Sequence, residues 1–284
     1  MSIDARMMTL TKPAHPTRRT RFHAVGLMIA TAALVLITGL GLAFTDAATT
    51  TDFARQAQPP SPAHPFGTDW FGRDLFARTL RGLSTSIMIG MLAAICSAVI
   101  AAVLGGLAAI GPRWLDNAIS WLIDLMLGIP HLLLLILISF ALGGGMLGVT
   151  IGIATTHWPS LARVIRGEIV QTRQSTYVAV ARKLGHGPLH IARHHMAPTV
   201  FPQLIVGLVL LFPHAVLHEA AVTFLGFGLP PEQPAIGVIL AESMSFLSAG
   251  MWWSALFPGL TLVLVVLLVD RIGGTLGAML VSKR

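Results

Sequence analysis

The sequence predicts an all-α fold, a polytopic integral membrane bundle of six transmembrane helices, on three observations. Hydrophobic residues make up 54% of the 284 positions and charged residues 11%, and a mean hydropathy of +0.76 lies outside the soluble globular range. Six stretches are long enough to cross a hydrocarbon core of about 30 Å, which asks for roughly 20 helical residues at about 1.5 Å each. Lysine and arginine then fall on one side when those six spans alternate.

Residues 1–21 form a basic polar tail, with Arg6, Lys12, Arg18, Arg19 and Arg21, that lacks the apolar content to fold before it meets lipid or a partner. Residues 22–284 read as one membrane domain, without a separating linker or an internal repeat. The first span lies near Phe22 to Phe44; its apolar part exceeds the roughly 7–15 residues of a signal-peptide core, so it is expected to be retained. The second runs near Ser84 to Ile110 and the third near Ile119 to Leu142, where Pro130 should kink the helix by removing one backbone bond. A tight outer turn at Gly143, Gly144 and Gly145 leads to the fourth, near Leu147 to Ile165, which Thr155, Thr156, His157 and Pro159 dilute. Val200 to Leu225 and Trp252 to Leu276 supply the fifth and sixth.

Arg113, Arg163, Arg166, Arg173, Arg182, Lys183, Arg193, Arg271, Lys283 and Arg284 share the side of the tail. The opposite side has Arg55, Arg73, Arg78 and Arg81, offset by Asp46, Asp52, Asp69 and Asp74. The positive-inside rule therefore places both termini in the cytoplasm. A net charge of +7 fits loops that face anionic lipid; with no basic stripe elsewhere, a nucleic-acid partner is not expected. The single cysteine, Cys96, can form no intrachain disulfide. No phosphate-binding loop is present, because Lys12, Lys183 and Lys283 follow Thr, Arg and Ser where that loop needs Gly. With no HExxH run and no nucleophile beside a base, the chain is expected to be neither an enzyme nor a cofactor binder.

The loop 166–199 is a basic, polar island between apolar runs. Its core, Thr176 to Pro198, reads TYVAVARKLGHGPLHIARHHMAP. Tyr177 to Leu184 space their apolar residues as a helix does, Gly185 and Gly187-Pro188 break the backbone, and a second short amphipathic stretch is expected to stop at Pro198. Helix, glycine hinge and short helix make a docking element. This segment resembles the cytoplasmic coupling loop of bacterial ABC-importer permeases, built on a Glu-Ala-Ala, Gly, Pro pattern. Val180-Ala181 stand in the paired-alanine place, Gly185 is the glycine, and His195-Met196-Ala197-Pro198 form the exit; Ala179 occupies the glutamate position. The resemblance implies that Tyr177, Ala181, Gly185, His195 and Pro198 couple the bundle to an ATPase.

Two further blocks carry the same resemblance. The outer segment His64 to Gly90 is similar to the peptide and nickel branch of these importers in His64, Pro65, Gly67, Thr68, Asp69, Gly72, Arg73, Asp74 and Arg78. From the residues alone, it is an interfacial loop whose Asp and Arg side chains pair while Trp70 and Phe71 anchor at the headgroups. Thr223 to Gly237, TFLGFGLPPEQPAIG, resembles the Ser-Phe-Leu-Gly-Leu-Gly segment of that branch, with Ile236 where tryptophan is usual. Gly273, Gly274, Leu276 and Gly277 stand where the family has Gly-Asp-x-Leu-Arg.

Ionisable groups at membrane depth usually face a bundle interior, a water-filled path or one another. His214 and His218 lie one helical turn apart, with Glu219 next, and His157 and His131 are further pathway candidates. Imidazole suits nickel, copper and zinc, but a single helical pair offers transient contact rather than a stable metal site. The run from His214 to His218 and Thr156-His157-Trp158 are similar to the nickel-permease subgroup.

The resemblance as a whole implies a permease that imports nickel or a metal chelate, with dipeptides or oligopeptides as the alternative cargo. It also implies a homologous permease partner, two cytoplasmic ATPase subunits that hold ATP and Mg, an extracytoplasmic binding protein and residence in the inner membrane. An ion-gradient-driven transporter using Glu219, Asp270 and the histidines as relays is the rival reading. It leaves the docking loop without a purpose.

Overall fold

The computed structural model describes residues 18–281, so most of the basic tail lies outside the described residues. The chain forms α1 (Arg18–Ala43), α2 (Thr45–Thr49), α3 (Leu75–Ile110), α4 (Arg113–Gly128), α5 (His131–Ala141), α6 (Gly145–Arg173), α7 (Thr176–Lys183), α8 (Pro188–Ile191), α9 (Ala197–Phe224), α10 (Ile236–Met244) and α11 (Trp253–Val281). Among the described residues there is no β-strand, only the isolated bridge between Thr68 and Asp74. The fold is the all-α membrane bundle expected.

The second span is longer than expected. Asp74 caps α3, its carboxylate accepting from the Ala77 backbone at 2.9 Å, and Leu75, Arg78 and Leu83 are already buried. The helix therefore begins nine residues before Ser84 and, at about 1.5 Å per residue, rises well past the hydrocarbon.

The third predicted span is not one helix. The axes of α4 and α5 diverge by 98° across the break at Ile129 and Pro130. Proline lacks the N–H that would continue the ladder, and its ring drives the preceding residue out of the helical region. Ile129 accordingly sits at φ −87°, ψ 138°. Pro159, Pro202, Pro213 and Pro258, by contrast, lie inside continuous helices.

Among the described residues, three helical runs are long and apolar enough to cross a membrane: α3, residues 188–224 and residues 253–277; the bent α4–α5 pair makes a fourth if it is one span. The fourth predicted span falls within α6, which outlasts its expected end at Ile165 and reaches Arg173. Its polar dilution is partly absorbed by burial, since Thr156 and His157 are enclosed along with Ile153, Trp158 and Ile165. The Gly143–Gly145 turn joins α5 to α6 as expected, its Gly145 N–H donating to the Gly228 carbonyl at 2.9 Å.

Among the described residues, three apolar clusters hold the helices together. Leu83, Ile87, Phe212, Val216, Ile239 and Val265 join α3, α9, α10 and α11. Ile89, Leu135, Ile153, Ala215 and Val238 fill the centre. Ala101, Ile123, Trp158 and Ile165 continue into Val178, Ile191 and Met196, which belong to the docking loop. That third cluster makes the loop part of the core. Val99, Leu133, Leu137, Leu147, Phe201 and Leu264 remain outward-facing and exposed, as lipid contact requires.

Candidate functional site: docking loop, outer charge lock and histidine cavity

The docking loop begins with α7, whose Val178 and Ala181 are buried while Tyr177, Val180 and Leu184 are exposed. At its end the His186 N–H donates to the Ala181 carbonyl (3.1 Å) and the Gly185 N–H to the Arg182 carbonyl (3.0 Å). This paired closure needs a left-handed residue, and Gly185 has φ +87°. The expected hinge is therefore a defined turn. Past it, α8 carries Leu189 at 82% exposure, and His186, His190 and His194 stack with centroids 4.2 and 4.1 Å apart.

The expected stop at Pro198 does not occur. A π-helical stretch, Ala192–Met196, joins α8 to α9, and Pro198 occupies the first turn of α9, where a missing N–H is tolerated. It opens a long helix rather than closing a short one. His195 packs beside Tyr177, with ring centroids 5.5 Å apart. Of the five residues assigned to coupling, Ala181 is internal, Tyr177 and Gly185 face outward, and His195 and Pro198 form the join to α9.

On the opposite face, the outer motif folds into a closed set of charges. Asp69 accepts from the backbone N–H groups of Phe71 and Arg73 at 2.8 and 2.9 Å, and pairs with Arg73 Nε (2.7 Å) and Arg78 Nη1 (2.8 Å). Glu242 of α10 completes it, 2.7 Å from Arg78 and 3.2 Å from Arg73. Asp74, besides capping α3, lies 2.6 Å from His64 Nδ1. Gly67 (φ +75°) and Gly72 (φ +73°) shape the loop; a Cβ on Gly72 would stand 1.8 Å from the Asp52 carbonyl oxygen. The pairing was expected from the residues, but Glu242 was not. Trp70 stacks on Phe246 at 4.9 Å.

Inside the bundle, the break after α4 brings His131 against α6 and α9. The rings of His131, His157 and His218 lie 4.5, 4.7 and 5.0 Å apart, at interplanar angles of 77–83°. Their nearest ring nitrogens all lie within 4.8 Å of one another. His157 Nδ1 donates to the Ile153 carbonyl (3.0 Å) and His218 Nδ1 to the His214 carbonyl (2.8 Å). A cavity of about 400 Å³ opens beside them, lined also by His214, Thr156, Ser160 and Leu210. His214 reaches this cavity but not the trio. Glu219 does not line it: fully buried, it accepts from Thr223 Oγ1 at 3.0 Å.

Towards the C-terminal end of α6, Arg163 pairs with Asp124 (2.6 Å) and Arg166 grips Asp116 with two bonds (2.5 and 2.7 Å). Arg173 donates to the Ala109 carbonyl at the end of α3. These bonds fasten the lower end of α6 to α3 and α4.

A polytopic helical bundle that buries polar groups along a cavity and packs a short helix–turn–helix loop into its core has the architecture of a membrane permease. The chain belongs to the family of binding-protein-dependent transport system inner membrane components, whose profile matches residues 99–278. It is a multi-pass inner-membrane component of such a transport system, working with a binding protein and ATPase subunits, and is not itself an enzyme. A Brucella suis protein provisionally named as a peptide transport system permease is 38% identical over 216 residues, 76% of this chain and 72% of that one. The dipeptide transport system permease protein DppC of Alkalihalophilus pseudofirmus is 33% identical over 256 residues, 90% and 84% of the two chains. The MetNI methionine ABC transporter, in inward-facing conformations, shares the fold at a TM-score of 0.57 and 16% identity, over 72% of this chain and 97% of that one.

Proposed function

We propose that this chain forms half of the translocation path of an ABC importer for dipeptides or short oligopeptides. It would pair with a homologous permease and face the cytoplasm with both termini and the docking loop. The continuity of Val178, Ile191 and Met196 with the buried core of α3, α4 and α6 carries this reading. A force applied to α7 and α8 by an ATPase is delivered to packed helices rather than to a slack loop, and the spans rock between outward and inward access.

The relatives' names support peptide as the cargo. Nickel or a metal chelate remains the second reading, favoured by the histidines of the cavity. Uptake of labelled dipeptide and of labelled nickel, with and without a chelator, by proteoliposomes of the complete complex with its binding protein and ATP decides between them. Dipeptide accumulation indifferent to a His214→Ala, His218→Ala double substitution supports the peptide reading; nickel accumulation lost in that variant overturns it.

A further inference from the structure

We infer that His131, His157 and His218 form a binding site for a divalent transition-metal ion inside the bundle. Three observations converge. The rings come from three helices, α5, α6 and α9, and stand nearly perpendicular to one another around a common centre. Two of them are oriented by the bond on their far side: Nδ1–H of His157 and of His218 is committed to a carbonyl one turn back, which leaves Nε2 of each ring as a lone-pair donor. Metal-binding histidines are held in their ligating tautomer by this kind of bond. Finally, Nε2 of His131 and Nε2 of His157 are buried with no hydrogen-bond partner, and His157 is only 8% exposed.

A buried ring nitrogen left unpaired is costly, and the Nε2 lone pair of His157, at the same centre as two more imidazoles, calls for a cation or a donor there. The three ligand atoms lie within 4.8 Å of one another. A tetrahedral shell with bonds of about 2.0–2.1 Å brings nitrogens to roughly 3.3 Å. The adjoining cavity leaves the fourth position open, to water or to a donor atom of the cargo.

Neutral imidazole favours the late first-row ions, nickel, copper and zinc, over magnesium or calcium. With no carboxylate in the cavity lining, the hard cations have nothing to hold them. The sequence alone showed only the pair His214 and His218, too few ligands for a stable site. His131 reaches the centre because Pro130 turns α5 away from α4. Binding at this site is separate from the identity of the cargo and is measured without transport.

The test is titration of the purified complete complex in detergent with Co(II), read by its visible absorption, and with Ni(II) and Zn(II) by equilibrium dialysis. All titrations use a background in which the stacked docking-loop histidines are removed by His186→Ala, His190→Ala and His194→Ala. One ion per copy of this chain, with the intense visible bands of a four-coordinate imidazole site, is expected. His157→Ala and His131→Ala, each assembled with the ATPase subunits as judged by gel filtration, should weaken binding at least about 10- to 100-fold, the loss that even outer-shell changes produce. Gln at 157, which keeps bulk and polarity without imidazole, should weaken it equally. No binding in the loop-histidine background, or binding unchanged by His157→Gln, overturns the assignment and leaves the trio as water-filled packing.

Discussion

Arg78 and Glu242 lie 164 residues apart in sequence and 2.7 Å apart in space. The arginine side chain is 2% exposed and the glutamate 26%, so the charge is buried on one side and reaches the surface on the other. With Asp69 and Arg73 they form a set of two cations and two anions that ties the outer loop, α3 and α10 together.

Removing Arg78 leaves two carboxylates to one partly exposed Arg73. Breaking a buried pair in this way costs about 3–5 kcal/mol, and Arg78→Met should lower the thermal midpoint of the purified complex accordingly. Glu242→Gln removes the better-solvated member and should cost less, about 1.5–3 kcal/mol at most, the scale of a hydrogen bond to a charged group. Equal losses in the two variants would contradict Arg78 as the buried centre.

Adjacent glycines in α3 should respond in opposite ways. A Cβ on Gly105 would stand 2.6 Å from the Ala162 carbonyl oxygen of α6, whereas a Cβ on Gly106 meets nothing within 4 Å. Small residues let membrane helices approach closely, and overpacking typically costs about 1–3 kcal/mol. Gly105→Val should destabilise the complex by at least that much, since backbone rather than a flexible side chain is in the way. Gly106→Ala should be neutral or gain up to about 1 kcal/mol from helix propensity. Melting curves of the two variants side by side check this.

The helix Thr176–Lys183 and the Gly185 turn after it were legible in the sequence because both are local. Apolar spacing from Tyr177 to Leu184 and the glycine that follows act within one window of chain. The charges of the outer loop were legible for the same reason, as Asp69, Arg73 and Arg78 lie within ten residues. Glu242 was not, since nothing near it marks a partner in another helix. The histidine trio was hidden in the same way, assembled by a 98° break that Pro130 announced only as a kink. A proline explains one further misreading: Pro198 was expected to stop a helix and instead lies in the first turn of one. Local chemistry shows that a proline removes a bond, but packing decides whether the helix survives it.

Gly185 should tolerate asparagine and fail with valine. Nothing lies within 4 Å of a Cβ there, yet φ is +87°, so conformation rather than space is the constraint. The left-handed region costs most residues about 1–2 kcal/mol, with asparagine among the exceptions and branched side chains among the worst. Gly185→Val should abolish uptake while leaving membrane insertion intact, and Gly185→Asn should retain most of it. Normal uptake in the valine variant would remove the turn from the coupling path.

Leu184 and Leu189 are exposed by 73% and 82%, flanking the Gly185 turn on the face turned away from the bundle. Neither contributes to the packed core, so replacing them should not unfold the chain. If that face receives the ATPase, desolvation of these two side chains supplies part of the contact, at roughly 1.5–3 kcal/mol for each fully buried leucine. Leu184→Asp and Leu189→Asp would lose that and set carboxylates into the contact. Each should weaken recovery of the ATPase subunits with the permease in pull-down by at least about tenfold, because 1.4 kcal/mol is a factor of ten. The thermal midpoint of the permease should stay put. A fall in that midpoint with recovery intact would mean that α7 and α8 close on their own bundle, and the docking surface would have to be sought elsewhere on the cytoplasmic face.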